Sequence, residues 1–112
     1  MDWNREQAYI VALSDYGISC QRPTGLVESV RWDDLRAVLI ETTDAGPFES
    51  DVFWILVGEE SGCVIPLGAI GEDELLKQLQ MLENFDNTAI IEAMSSAENK
   101  RFLCWEKRQQ RE

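Results

Sequence analysis

Histidine is absent from the 112 residues, and that gap removes the commonest general base, the Ser-His and Cys-His nucleophile pairs, and imidazole metal ligands. Basic residues are scarce as well. Ten Lys+Arg stand against 21 Asp+Glu, a formal net charge of −11. A surface this negative repels phosphate backbones and disfavours sequence-independent nucleic-acid binding. There are only three cysteines, Cys20, Cys63 and Cys104, and no Cys-x-x-Cys pair, which argues against a disulfide framework or a zinc knuckle. No apolar run approaches the roughly 20 residues that span a bilayer. The opening Met1-Asp2-Trp3-Asn4-Arg5-Glu6-Gln7 is polar and lacks the apolar stretch of a secretory signal. The expected place is the cytosol of the producing cell, with neither nucleic acid nor membrane as partner.

What remains is ordinary globular material, 45% hydrophobic and 28% charged. At this length one compact core is expected over residues 1–112, with 1–7 and 106–112 as frayed ends. The charge is uneven. Residues 1–99 hold 19 acids and 5 bases, whereas residues 100–112 hold 5 bases and 2 acids and form a short basic end.

Larger apolar residues recur two apart in the first half. Tyr9, Val11 and Leu13 fall on one face of a strand, and Asp15-Tyr16-Gly17 turns the chain into a returning strand, Ile18 to Gln21. Pro23 and Gly25 frame the next turn, which leads into Leu26, Glu28, Val30 and Trp32 on alternate positions. Trp32-Asp33-Asp34-Leu35-Arg36 interrupts the alternation for about one helical turn. Val38, Ile40 and Thr42 then share one side of a β-branched run. Residues 43–51 carry Gly46-Pro47 and three acids, so a long exposed loop is expected. Phe53 to Val57 is apolar throughout, the mark of a strand covered on both faces. Glu59-Glu60-Ser61-Gly62 turns it back into Cys63, Val64 and Ile65, and Pro66 ends that ladder.

The period changes after Gly71. Leu75, Leu76, Leu79 and Leu82 recur at helical spacing behind Glu72, Asp73 and Glu74, acids that suit a helix N-terminus. Asp86 is a good N-cap for a second helix, whose stripe is Ala89, Ile90, Ala93, Met94 and Ala97. Phe102-Leu103-Cys104-Trp105 is extended again, an edge strand or a docking segment. Strands followed by helices predict an α+β fold in which two C-terminal helices cover a strongly bent antiparallel sheet of six to seven strands.

Two stretches carry a family resemblance. Asp15-Tyr16-Gly17-Ile18, followed by Glu28-Ser29-Val30-Arg31-Trp32-Asp33-Asp34-Leu35-Arg36-Ala37-Val38, resembles the first half of bacterial domains of the pleckstrin-homology-like (PH-like) superfamily. Ile65-Pro66, Gly71, Leu75-Leu76, Leu79-Gln80, Phe85-Asp86-Asn87 and Ala93-Met94 resemble a group of small uncharacterised bacterial proteins. The likeness spans Tyr9 to Trp105 and rests on structural joints. It implies a bent sheet or partial barrel closed by helix, a scaffold for binding lipids, peptides or proteins. The basic loop of phosphoinositide binders is missing, since Arg22 stands alone among acids, so lipid-headgroup binding does not carry over.

Chemistry finds little purchase. The paired carboxylates Asp33/Asp34, Glu59/Glu60 and Glu72/Asp73/Glu74 could in principle work as acid and base, but each fits a turn, a hairpin tip or a helix start, where solvent keeps carboxyl groups ordinary. Asp44, Glu49 and Asp51 lack EF-hand spacing for a cation. Gly68-Ala69-Ile70-Gly71 is followed by three acids that would repel a phosphate. No catalytic, cofactor or metal residue is assigned.

The four tryptophans are more informative. Phe53-Trp54 puts neighbouring aromatics on opposite faces, and Trp54 with an acidic rim of Glu49, Asp51, Glu59 and Glu60 is the candidate partner-contact set. The expected function is a non-enzymatic protein-binding module whose partner is a second copy, through Trp54 or Trp105, or a cationic protein. An immunity-type antitoxin against a basic toxin and a small carboxylate-using enzyme are the alternatives.

Overall fold

The structure is a computed structural model and describes residues 9–44, 52–96 and 98–107. Seven strands and two helices follow one another as β1 (Ile10–Leu13), β2 (Gly17–Gln21), β3 (Val27–Arg31), β4 (Leu35–Thr42), β5 (Val52–Gly58), β6 (Gly62–Pro66), α1 (Glu72–Gln80), α2 (Asn87–Met94) and β7 (Lys100–Glu106). A single 3-10 turn, Trp32–Asp34, joins β3 to β4 where the alternation breaks. The fold is α+β, as the change of period predicts.

The strands form two antiparallel sheets, β1-β2-β3 and β6-β5-β4-β7, with no closed barrel among the described residues. The expected single bent sheet is therefore corrected to two. Its physical reason lies at the seam between the edge strands β3 and β6. Glu28 points inward from β3, accepts a hydrogen bond from Arg22 Nη2 at 2.7 Å, and accepts another from the Val64 N–H of β6 at 3.2 Å. A carboxylate thus takes a backbone donor that a neighbouring strand would otherwise use. The two strands lie close together there without pairing.

Both sheets and both helices share one interior. Val11, Ile18, Cys20 and Val30 come from the first sheet; Val38, Ile40, Trp54, Leu56, Cys63, Ile65 and Cys104 from the second; Leu75, Leu79, Ala89 and Ala93 from the helices. Helix α1 begins with Glu72, Asp73 and Glu74 in its first turn, and α2 is capped by Asp86, whose Oδ1 accepts from the N–H groups of Thr88 and Ala89. Thr42, the one buried polar residue among the described residues, donates its hydroxyl to the Glu98 carbonyl at 2.7 Å and anchors the chain between α2 and β7. The extended segment after the helices is an edge strand, β7, paired with β4 and running through Glu106 rather than fraying there; the Lys107 N–H bonds the Arg36 carbonyl beyond it. No helix of the described residues is long and apolar enough to cross a membrane.

Candidate functional site

The second sheet buries one face only. Residues of one parity, Val38, Ile40, Trp54, Leu56, Cys63, Ile65 and Cys104, are sealed against the helices and the first sheet. The other parity points away from them. Register places Val64 opposite Ile55, Ile55 opposite Leu39, and Leu39 opposite Leu103, an apolar row crossing all four strands. Val57 opposite Ala37, and Phe53 opposite Glu41, extend it on either side. Val57 and Val64 are 38% exposed and Leu103 is 48% exposed. The expectation that β5 is covered on both faces is thus corrected: on the outer face Val57 is exposed and Phe53 and Ile55 are only partly buried.

The contrast with the first sheet is chemical. There the central outward row is Ala12, Ser19 and Ser29, small and mostly polar, and exposed apolar residues, Ile10 and Val27, stand only at the sheet's end, opposite Gln21. In the second sheet both parities are apolar in β4, β5, β6 and β7, visible in the triplets Val38-Leu39-Ile40, Trp54-Ile55-Leu56, Cys63-Val64-Ile65 and Phe102-Leu103-Cys104. Four such triplets in four paired strands are the signal that reading each strand singly misses.

Charges near the face are held in pairs. Arg101 Nε lies 3.2 Å from Glu41 Oε1, and Arg36 Nη1 lies 2.7 Å from Glu59 Oε2. At one end of the face a depression of about 380 Å³ is lined by Arg36, Ala37, Val57, Glu59, Glu106 and Lys107. Asp34 braces the hairpin tip above it: its carbonyl accepts from the Glu59 N–H at 3.1 Å, and its carboxylate accepts from the Glu60 N–H and the Ser61 hydroxyl.

The predicted partner-contact set is divided by the structure. Trp54 is 2% exposed and donates its indole N–H to Glu72 Oε2 at 2.8 Å, so its ring belongs to the core and does not form the centre of a surface patch. Glu59 and Glu60 are exposed at the β5–β6 tip beside the apolar row. Glu49 and Asp51, with the rest of 45–51, lie outside the described residues, as does Trp3. The other two indoles are also committed internally. Trp32 donates to the Ser14 carbonyl and Trp105 to the Glu83 carbonyl, each at 3.0 Å, and both rings are partly buried.

The carboxylate clusters have structural partners. Glu72 accepts from Trp54 and from the Gly68 N–H, filling with its own acid the loop that resembled a phosphate cradle. No group of three or more acids and cysteines among the described residues is placed to hold a metal ion.

All three thiols are free and buried. Burial, aided by the Glu28 carboxylate, pushes the Cys63 thiol up to about 12; burial and Asp86 push Cys104 up to about 11; burial and Glu28 raise Cys20. These thiols are packing groups, not nucleophiles. In the unfolded chain they ionise near 9.0, whereas in the folded chain they hold their protons to higher pH. Their contribution to stability is complete below pH 9 and declines as pH rises through the folded values, by up to about 1.4 kcal/mol per pH unit for each thiol. Denaturant midpoints measured from pH 8 to 11 should fall, and Cys63→Ala should flatten that fall. A native chain alkylated by iodoacetamide at pH 8 as fast as the unfolded one would show the thiols to be accessible.

No protein-family model matches this chain, and comparison with curated proteins and with solved structures returns no match either.

Proposed function

We propose that this chain is a non-enzymatic protein-binding module that docks through the outer face of its four-stranded sheet. The observation that carries the reading is the apolar row Val64, Ile55, Leu39 and Leu103, which crosses every strand of that sheet with its ends Val64 and Leu103 exposed and its centre, Ile55 and Leu39, partly buried. Water penalises such a surface by roughly 25 cal/mol for each Å² of apolar area, and a partner that removes the area from water recovers that free energy. The scaffold is read as PH-like on the joints Asp15-Tyr16-Gly17 and Trp32-Asp33-Asp34-Leu35, a reading supported by antiparallel strands that lead into helix.

The test is capture from native lysate with the tagged chain and two double variants. Val64→Glu/Leu103→Glu charges the two ends of the row at positions already partly in water, so the core is untouched. Leu26→Glu/Val27→Glu charges two exposed apolar residues where the turn before β3 enters that strand. Specific capture should drop at least about tenfold for the first variant, as loss of central interface residues commonly does, and stay unchanged for the second. Equal capture by wild type and the Val64/Leu103 variant would refute the docking face.

A further inference from the structure

We infer that the occupant of this face is a second copy of the chain, seated sheet against sheet. The inference rests on the docking face proposed above and decides between its two possible partners by charge. In the three outward rows only Glu41, Arg101 and Glu106 are charged, and Glu41 and Arg101 neutralise each other at 3.2 Å. Beside them Glu59 is held by Arg36. Among the described residues a cationic partner would find only Glu60 and Glu106 outside an ion pair here, fewer acids than the helical side offers, although the chain as a whole carries −11.

The surplus lies elsewhere. Asp73, Glu74, Glu83, Glu92 and Glu98 are exposed on or beside the helices, which pack on the opposite side of the same sheet. Two copies joined by their outer sheet faces therefore keep those acids on the two far surfaces, separated by several Debye lengths of about 8 Å at physiological salt. Self-repulsion, the main objection to a dimer of so acidic a chain, is weak in this arrangement.

Shape agrees with charge. Twisted sheets pack face to face at about −30° with roughly 10 Å between them, their side chains interdigitating, and a pleated apolar face is complementary to its own copy. Size sets the strength. Four strands about 4.8 Å apart and five residues long give a projected patch of roughly 300 Å². Stable complexes of standard size bury about 800 Å² on each partner, so the rim around the end depression must contribute and the dimer is a concentration-dependent one.

Sedimentation velocity on the full chain under reducing conditions, from about 1 to 500 µM in low and in roughly 1 M salt, tests this. The expected result is a monomer–dimer transition with a midpoint of tens of micromolar, unchanged or strengthened by salt. Leu103→Glu and Val64→Glu should each raise the midpoint at least about tenfold, while Val27→Glu should not. A monomer at every concentration, a dimer dissolved by salt, or a dimer indifferent to Leu103→Glu and Val64→Glu would overturn the inference. The two proposals separate cleanly. If the chain is monomeric yet the charged face loses its lysate partners, the docking face stands and a different protein fills it; if capture is also indifferent, both fall.

Discussion

Trp54→Ala is expected to remove a large part of the folding free energy at 25 °C. The ring sits at the middle of β5, opposite Ile40 on β4 and Ile65 on β6, and is 2% exposed. Truncating a buried aromatic of this size to alanine costs about 3–5 kcal/mol, of which part is lost transfer free energy and part the cavity left behind. A domain of this length holds only about 5–15 kcal/mol in total. The indole does a second task. Its N–H meets Glu72 Oε2 at 2.8 Å, while Glu72 Oε1 takes the Gly68 N–H at 3.1 Å, so one carboxylate links β5, the loop after β6 and the first turn of α1. Trp54→Phe separates the two contributions, because it preserves most of the packing and removes the donor. Its cost should be about 1.5–3 kcal/mol, the range for a hydrogen bond to a charged group. Urea unfolding followed by far-UV circular dichroism, which survives removal of the fluorophore, should rank wild type above the Phe variant and that above the Ala variant. An Ala variant as stable as wild type would mean that Trp54 does not hold the core together.

Trp54 also shows where sequence reasoning stops. Alternation places Phe53 and Trp54 on opposite faces of one strand, but it does not say which face the rest of the molecule covers; that depends on β4 and β6, whose Ile40 and Ile65 sit on the Trp54 side. Local chemistry was sufficient for the turns, the 3-10 interruption at Trp32–Asp34, the acidic start of α1 and the Asp86 cap, because each is decided within a few residues. Pairing of β7 with β4 joins Arg101 to Glu41 across 60 residues, and nothing local to Phe102-Leu103-Cys104-Trp105 names that partner. The division into two sheets was equally hidden, since it turns on where one carboxylate, Glu28, finds its donors. The acidic tip Glu59-Glu60 was legible as a turn. The apolar face beside it emerges only when four strands are laid in register, because each strand alone, apolar at both parities, looks like one buried on both sides.

Gly71→Ala should cost about 3 kcal/mol or more. Gly71 has φ of +91°, a conformation that charges an L side chain about 1–2 kcal/mol. A Cβ there would also stand 2.5 Å from the Val11 carbonyl oxygen, a backbone atom that no rotamer change can move aside. Relief requires β1 to withdraw from the loop before α1. That withdrawal loosens the Val11 N–H bond to the Ile70 carbonyl at 2.7 Å and the Ile70 N–H bond to the Tyr9 carbonyl at 2.8 Å, each worth about 1 kcal/mol. Gly25→Ala provides the internal control. Gly25 has φ of +96°, but nothing lies within 4 Å of its would-be Cβ, so that variant carries the conformational cost alone. The difference between the two midpoint shifts, about 2 kcal/mol, measures how tightly the first sheet is held to the helical layer. Hydrogen exchange at Val11 and Ile70 should accelerate in Gly71→Ala and not in Gly25→Ala; equal shifts for the two variants would mean that β1 is free to move away from α1, and that the single interior shared by both sheets and both helices does not depend on this contact.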